Sequence, residues 1–257
     1  METALKTYLD TLVARYNHAD FIADDPIQIP HRFTKKQDIE ITAFWTAILA
    51  WGQRKTIIAK ATDLFERMDD APHDFIRNHS ETERKRFANF KHRTFQPDDA
   101  LVFLAVLQKH YQAQESLETA FSAFLTTEDA TVEAALIGFN TYFFADLPPA
   151  LRRTRKHLAS PASGAACKRL CMFLRWMVRN DGNGVDFGLW NAISPAQLVL
   201  PLDVHVERQA RKLNLLTRTK TDWRAALELT ENLRVFSPDD PAKYDFALFG
   251  LGVNQEK

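Results

Sequence analysis

The residues in this 257-residue chain whose types and spacing could do chemistry together are Lys168 and Asp203. An amine and a carboxylate brought to one place can exchange a proton, and an amine in its neutral form is a nucleophile. The lysine lies in ACKRLCMFLRWMVR, where Leu170, Phe173, Leu174, Met177 and Val178 recur at the spacing of an amphipathic helix. At about 100° per residue, Lys168, Met172, Arg175 and Arg179 fall on the face opposite that apolar stripe. The aspartate lies in PLDVHVERQARKLNLL, thirty-five residues further on. Pro201 breaks the preceding element, Asp203 can cap a new helix, and Val206, Ala210 and Leu213 carry that helix forward. Taken singly, each residue has a plainer reading: Asp203 as a helix cap only, and Lys168 as a solvated lysine on a polar face.

The surroundings of this pair are cationic. Between Leu151 and Asn180 stand Arg152, Arg153, Arg155, Lys156, Lys168, Arg169, Arg175 and Arg179, with no acidic residue among them. The formal net charge is zero, from 33 basic and 33 acidic side chains, so the sign asymmetry is local. A one-sided basic patch is the footprint expected for a polyanion, although such runs are also ordinary solvated faces. Asp203 and His205 form an Asp-x-His phrase, but no further ligand cluster stands nearby, and neither a metal nor a cofactor is expected. Cys167 and Cys171, one helical turn apart, fit neither a disulfide framework nor a four-cysteine cluster and read as buried thiols.

The elements that must position these residues read as helices throughout. Apolar residues make up 46% of the chain and charged ones 26%, the balance of a soluble globular protein long enough for a sizeable core. No apolar run reaches the length of a membrane span and no apolar signal core opens the chain, which points to a cytoplasmic protein. Helical spacing is expected over residues 1–20, then across AFWTAILAWGQRKTIIAKATDLF as two helices broken at Gly52-Gln53. Further helices are expected from Leu101, from Leu117 to Phe124, from Val132 to Phe143, from Trp223, and from Asp240 to the end. The segment around Pro26 and Pro30 reads as extended or turned, and residues 71–97 as irregular apart from a short helix near 81–87. Nowhere is there strand alternation. The spacing predicts an all-α protein of nine or ten helices, and with no linker in sight a single compact unit over residues 1–257.

Three of these elements, in this order, resemble the helix-hairpin-helix DNA glycosylase superfamily, which contains endonuclease III and the 8-oxoguanine glycosylases. The helix pair with Gln53 at its break is similar to that fold's Gln-bearing opening. LASPASGAACKRLCMFLRWMVR occupies the place of the hairpin and the helix that follows it, with Lys168 where bifunctional members carry their lysine. LPLDVHVERQARKL resembles the Pro-x-Asp-x-x-Val phrase that opens the helix of the catalytic aspartate, with Asp203 in register. KYDFALFGLG resembles the closing core helix. The likeness spans residues 38–253. Asp25-Pro26-Ile27 and AWGQR also make the whole chain look like a bacterial family of uncharacterised proteins. Where members commonly read Leu-Pro-Gly-Val-Gly at the hairpin, this chain has Ser160-Pro161-Ala162-Ser163-Gly164, and Lys168 follows Gly164 by four residues rather than two.

What the resemblance implies is a two-lobed helical fold and a monomer that excises a damaged base, an oxidised purine being one candidate, from double-stranded DNA, with or without a following lyase step. Lys168 and Asp203 would carry the chemistry. Gln53 would fill the gap left by the flipped base. Arg152, Arg153, Arg155, Lys156, Gly164, Arg169, Arg175 and Arg179 would contact the nucleic acid, mainly its phosphates. The other reading, from a different class, is a helical module that binds DNA or RNA and does no chemistry.

Overall fold

Apolar residues at helical spacing leave a chain little choice but to bury one face of each helix against another. The computed structural model describes residues 2–254, and among these there are α-helices, short 3-10 turns and no β-strand. In chain order the helices are α1 (Glu2–Tyr16), α2 (Asp20–Ala23), α3 (Lys36–Leu49), α4 (Arg54–Glu66), α5 (Pro72–Asn78), α6 (Glu81–Arg84) and α7 (Pro97–Ala113). They continue as α8 (Thr119–Ser122), α9 (Glu133–Phe143), α10 (Lys168–Val178), α11 (Val204–Lys212), α12 (Trp223–Arg234) and α13 (Tyr244–Asn254). No described helix is long and apolar enough to cross a membrane.

The helices gather into two compact units rather than one. The first comprises the described residues up to Ala23, Leu125–Ile137, and those from Ala159 onward; the second comprises Asp24–Phe124 and Gly138–Leu158. Because the chain crosses from one unit to the other four times, once within α9, no linker marks the division.

In the second unit α3 is buried on every side from Ile39 to Leu49. Phe44 and Trp45 meet Phe103 of α7 at 5.9 and 5.2 Å between ring centroids, and Phe44 meets Phe139 of α9 edge-on at 5.7 Å. One charge sits inside this aromatic core. The Glu40 carboxylate accepts hydrogen bonds from the Tyr111 hydroxyl at 3.0 Å, the Ser116 hydroxyl at 2.5 Å and the Leu117 amide at 3.0 Å. A buried carboxylate is tolerable only when its oxygens are satisfied in this way.

In the first unit α13 packs against α1 and α11. Gly250 lies so close to the Tyr16 ring that a Cβ would approach it to 2.3 Å, and at Gly252 a Cβ would come within 2.6 Å of the Cβ of His205. Two helix-face glycines thus set how near α13 comes to its neighbours.

The structure settles three local segments and revises the expectation for one of them, residues 72–78. Around Pro26 and Pro30, expected to be extended or turned, the chain is turned: Pro26–Gln28 and Pro30–Arg32 are 3-10 turns, each opened by a proline. Residues 72–78 form α5, which starts on Pro72, inside a stretch expected to be irregular. The basic residues 149–157 wind as a nine-residue 3-10 helix.

Candidate active site

Lys168 is the first residue of α10 and Asp203 is the cap of α11, both in the first unit. The chain sets the lysine's start with a left-handed residue, Cys167, at φ +51°, a conformation uncommon for anything but glycine. The buried Cys167 thiol donates to the Ala165 carbonyl at 3.1 Å. Burial pushes that thiol up to about 12, so it is a packing group and not a nucleophile.

Asp203 divides its two oxygens between two tasks. Oδ1 accepts the backbone amides of His205 and Val206, each at 2.9 Å, which fixes the first turn of α11. Oδ2 stands 3.6 Å from the Lys168 Nζ. The carboxylate is 11% exposed and the lysine side chain 35%, so the aspartate is held in the protein while the amine is reachable from solvent. The cap reading of Asp203 and the pairing reading therefore hold together: the cap orients the carboxylate that faces the amine.

Behind the pair lies a buried ionic cluster that sequence reasoning did not find. Arg175 Nε donates to Asp186 at 3.2 Å, and its Nη1 donates to Asp245 of α13. Arg179 donates to Asp186 at 2.5 Å, to Asp240 at 2.9 Å and to Asp181 at 2.8 Å. Both guanidiniums also lie against the Phe246 ring, at 4.4 and 5.5 Å. Burial pushes the Asp245 carboxyl up to about 6; Arg175 opposes this, and the neighbouring Asp203 and Asp186 reinforce it. Asp186 is raised as well, by burial first, against both arginines. The available signal was a lone aspartate within the apolar run YDFALFGLG.

This cluster corrects the expected phosphate contacts. Arg175 and Arg179 are 4% and 1% exposed and are taken up by carboxylates, so neither is presented to a nucleic acid. The helical projection placed them opposite the apolar stripe, but toward the end of α10 that direction meets Asp186 of the following loop, Asp240 and Asp245 rather than solvent. Gly164 is corrected too. It is left-handed at φ +75°, its amide donates to Pro161 at 2.7 Å, and its carbonyl accepts from Trp223 at 3.1 Å. The glycine's own backbone donor is spent in closing a 3-10 turn, so it has none left for a phosphate.

The remaining candidates keep an outward face. Arg169 is half-buried, and burial lowers its guanidinium from the ordinary arginine value. Arg152, Arg153, Arg155 and Lys156 are exposed on the 3-10 helix of the second unit. That helix is pinned by Asp99, which accepts from Thr154 at 2.7 Å, His157 at 3.1 Å and Arg153 at 2.5 Å. Burial alone would raise the Asp99 carboxyl, but hydrogen bonds from His157, Thr154 and the Gln96 amide hold it well below the usual carboxylate range. Arg155 is laid over the Phe144 ring at 5.0 Å. The basic run of the sequence is thus divided between two units.

Gln53, also in the second unit, is the exposed cap of α4 and makes no side-chain capping bond. Gly52 before it has φ +106°, and a Cβ there would meet the Arg93 guanidinium at 2.6 Å. Arg93 in turn lies over the Trp51 ring at 4.6 Å. No group of three or more potential metal ligands occurs among the described residues.

Residues 25–254 match the family described as "Protein of unknown function (DUF2400)", and the chain belongs to that family. No curated protein and no solved structure matches it.

Proposed function

We propose that this protein is a DNA base-excision glycosylase with lyase capability, in which Lys168 is the attacking amine and Asp203 the carboxylate that serves it. The observation that carries the reading is the 3.6 Å approach of Lys168 Nζ to Asp203 Oδ2, with the other carboxylate oxygen tied down by two amides. In this mechanism the neutral amine attacks C1′ of the sugar and the bond from C1′ to the base breaks. The bonding pair leaves with the base, which takes up a proton. Asp203 accepts the proton that the amine gives up, and its charge stabilises the cation-like sugar while the glycosidic bond is breaking. Opening of the sugar ring leaves a Schiff base on Lys168; the lyase step is then a β-elimination, in which C2′ gives up a proton to a base, a C2′–C3′ double bond forms and the 3′ phosphate leaves with the C3′–O pair.

Three further features support it. Lys168 stands at the positive end of α10, where an anionic strand is favoured. Arg152, Arg155 and Lys156 are exposed and are the kind of group that holds phosphates without reading sequence. Gln53 is exposed at a helix break and makes no side-chain capping bond, as a residue that enters a duplex needs to be.

Borohydride trapping on duplexes carrying 8-oxoguanine, uracil or an abasic site tests the proposal. A covalent adduct is expected from the wild type and none from Lys168→Gln, with DNA affinity retained within about threefold, since the amine contributes chemistry rather than binding. Asp203→Asn keeps the cap and is expected to slow adduct formation by at least about a hundredfold. DNA binding with neither adduct nor base release would support the module that binds DNA or RNA without chemistry. No binding at all would remove nucleic acid from the account.

A further inference from the structure

The second unit contains a cavity of about 620 Å³ that the glycosylase reading does not use. One wall is a stripe of α7 formed by Leu101, Val102, Ala105 and Val106, with Asp98 and Lys109 at its two ends. The other wall is Tyr142 and Phe143 from the end of α9, followed by Leu147, Pro148 and Leu151. Leu101, Ala105 and Val106 are only half-buried, so the protein itself leaves this apolar surface partly uncovered.

Polar ties join α7 to the end of α9 and to the segments that follow it. Near the start of α7, Asp99 binds Arg153, Thr154 and His157. Near its end, Lys109 meets Asp146 at 2.5 Å. Beside that pair, His110 Nδ1 accepts the Tyr142 hydroxyl at 2.9 Å while its Nε2 donates to the Ser116 carbonyl at 2.9 Å. Eleven residues of α7 separate Asp98 from Lys109, about 16 Å at 1.5 Å per residue. The basin is therefore about three turns of α7 long. Its volume and apolar walls with a few polar groups at the rim are those of a small-molecule site.

Charge narrows the ligand. Lys109 and Asp146 neutralise one another, which leaves Asp98, exposed on the rim, as the uncompensated charge among the lining residues. We infer that the cavity between α7 and residues 142–151 binds a compact, mostly apolar small molecule that carries one positively charged amine. Its body lies on Leu101, Ala105 and Leu147, and its ammonium lies at Asp98.

Two probes with the same ring and opposite charge test this: 1-naphthylmethylamine and naphthalene-1-acetate, each titrated calorimetrically into the full chain. One amine is expected to bind per chain, with a Kd below about 1 mM for a ligand of this size, and the acetate at least about threefold more weakly. Ala105→Trp fills the basin and is expected to weaken the amine by at least about tenfold. Asp98→Asn is expected to bring the two probes within about twofold of each other. Should Ala105→Trp not fold, Leu147→Lys places a cation on the opposite wall and carries the same expected loss. The inference is overturned if the amine does not bind, if the filling variants leave its affinity unchanged, or if the acetate binds as well as the amine.

Discussion

Replacing Asp245 with asparagine should change the pH dependence of stability in a direction fixed by its burial. In the folded protein the Asp245 carboxyl lies at about 6 against an ordinary value of 3.8, chiefly because it is buried. A folded value above the unfolded one means that the protonated form is the one folding favours. The stabilisation is therefore full below about pH 4 and is lost as pH rises through about 6. At about 1.36 kcal/mol per pKa unit, the loss from this group is about 3 kcal/mol across that window, with no discount for solvent because the carboxyl is buried. The asparagine side chain has the shape of the protonated acid and cannot ionise. The difference in unfolding free energy, Asp245→Asn minus wild type, should therefore rise by about 3 kcal/mol between pH 4 and pH 7. Urea unfolding at half-unit pH intervals, followed by tryptophan fluorescence, measures it, since Trp176, Trp190 and Trp223 all lie in the same unit as Asp245. Taking the difference between two proteins cancels groups such as Asp99, whose lowered carboxyl acts in the opposite sense. A difference that is flat with pH, or that falls, would refute the argument that burial outweighs Arg175 at this carboxyl.

Two further predictions come from close packing and from charge. Gly252→Ala puts a Cβ 2.6 Å from His205 Cβ and 3.2 Å from its Cα, so α11 must shift; we expect a loss of about 1–3 kcal/mol in denaturant unfolding, and a weaker Lys168–Asp203 pairing read as slower trapping. Arg152→Ala should reduce the slope of log affinity against log salt on duplex DNA by about one, while Arg179→Met should instead cost about 3–5 kcal/mol of stability by removing one of the two arginines that hold the buried Asp186, and any loss of DNA affinity should follow unfolding.

The helices were legible because their signal is local. Apolar residues at three- and four-residue spacing located α3, α4, α7, α9, α10, α11, α12 and α13, and Asp203 announced its helix by capping chemistry. Shorter pieces escaped. α5 has only seven residues and shows no full apolar period, and the 3-10 helix at 149–157 is held by Asp99, a partner about fifty residues away in sequence.

The sequence by itself determined the all-α class, the helix that begins at Lys168, and the capping aspartate at 203, because periodicity and capping are properties of a few neighbouring residues. Only the tertiary structure decided that Lys168 and Asp203 meet, since a separation of thirty-five residues carries no information about a distance of 3.6 Å. It also decided that two of the eight basic residues are not available to a phosphate. A helical projection gives the direction in which Arg175 and Arg179 point, but not what lies there, and what lies there is Asp186, Asp240 and Asp245, brought in from the loop after α10, the turn before α13 and α13 itself. A charge pattern shows where cations stand along the chain; whether each faces solvent or a buried carboxylate depends on contacts between residues far apart in sequence.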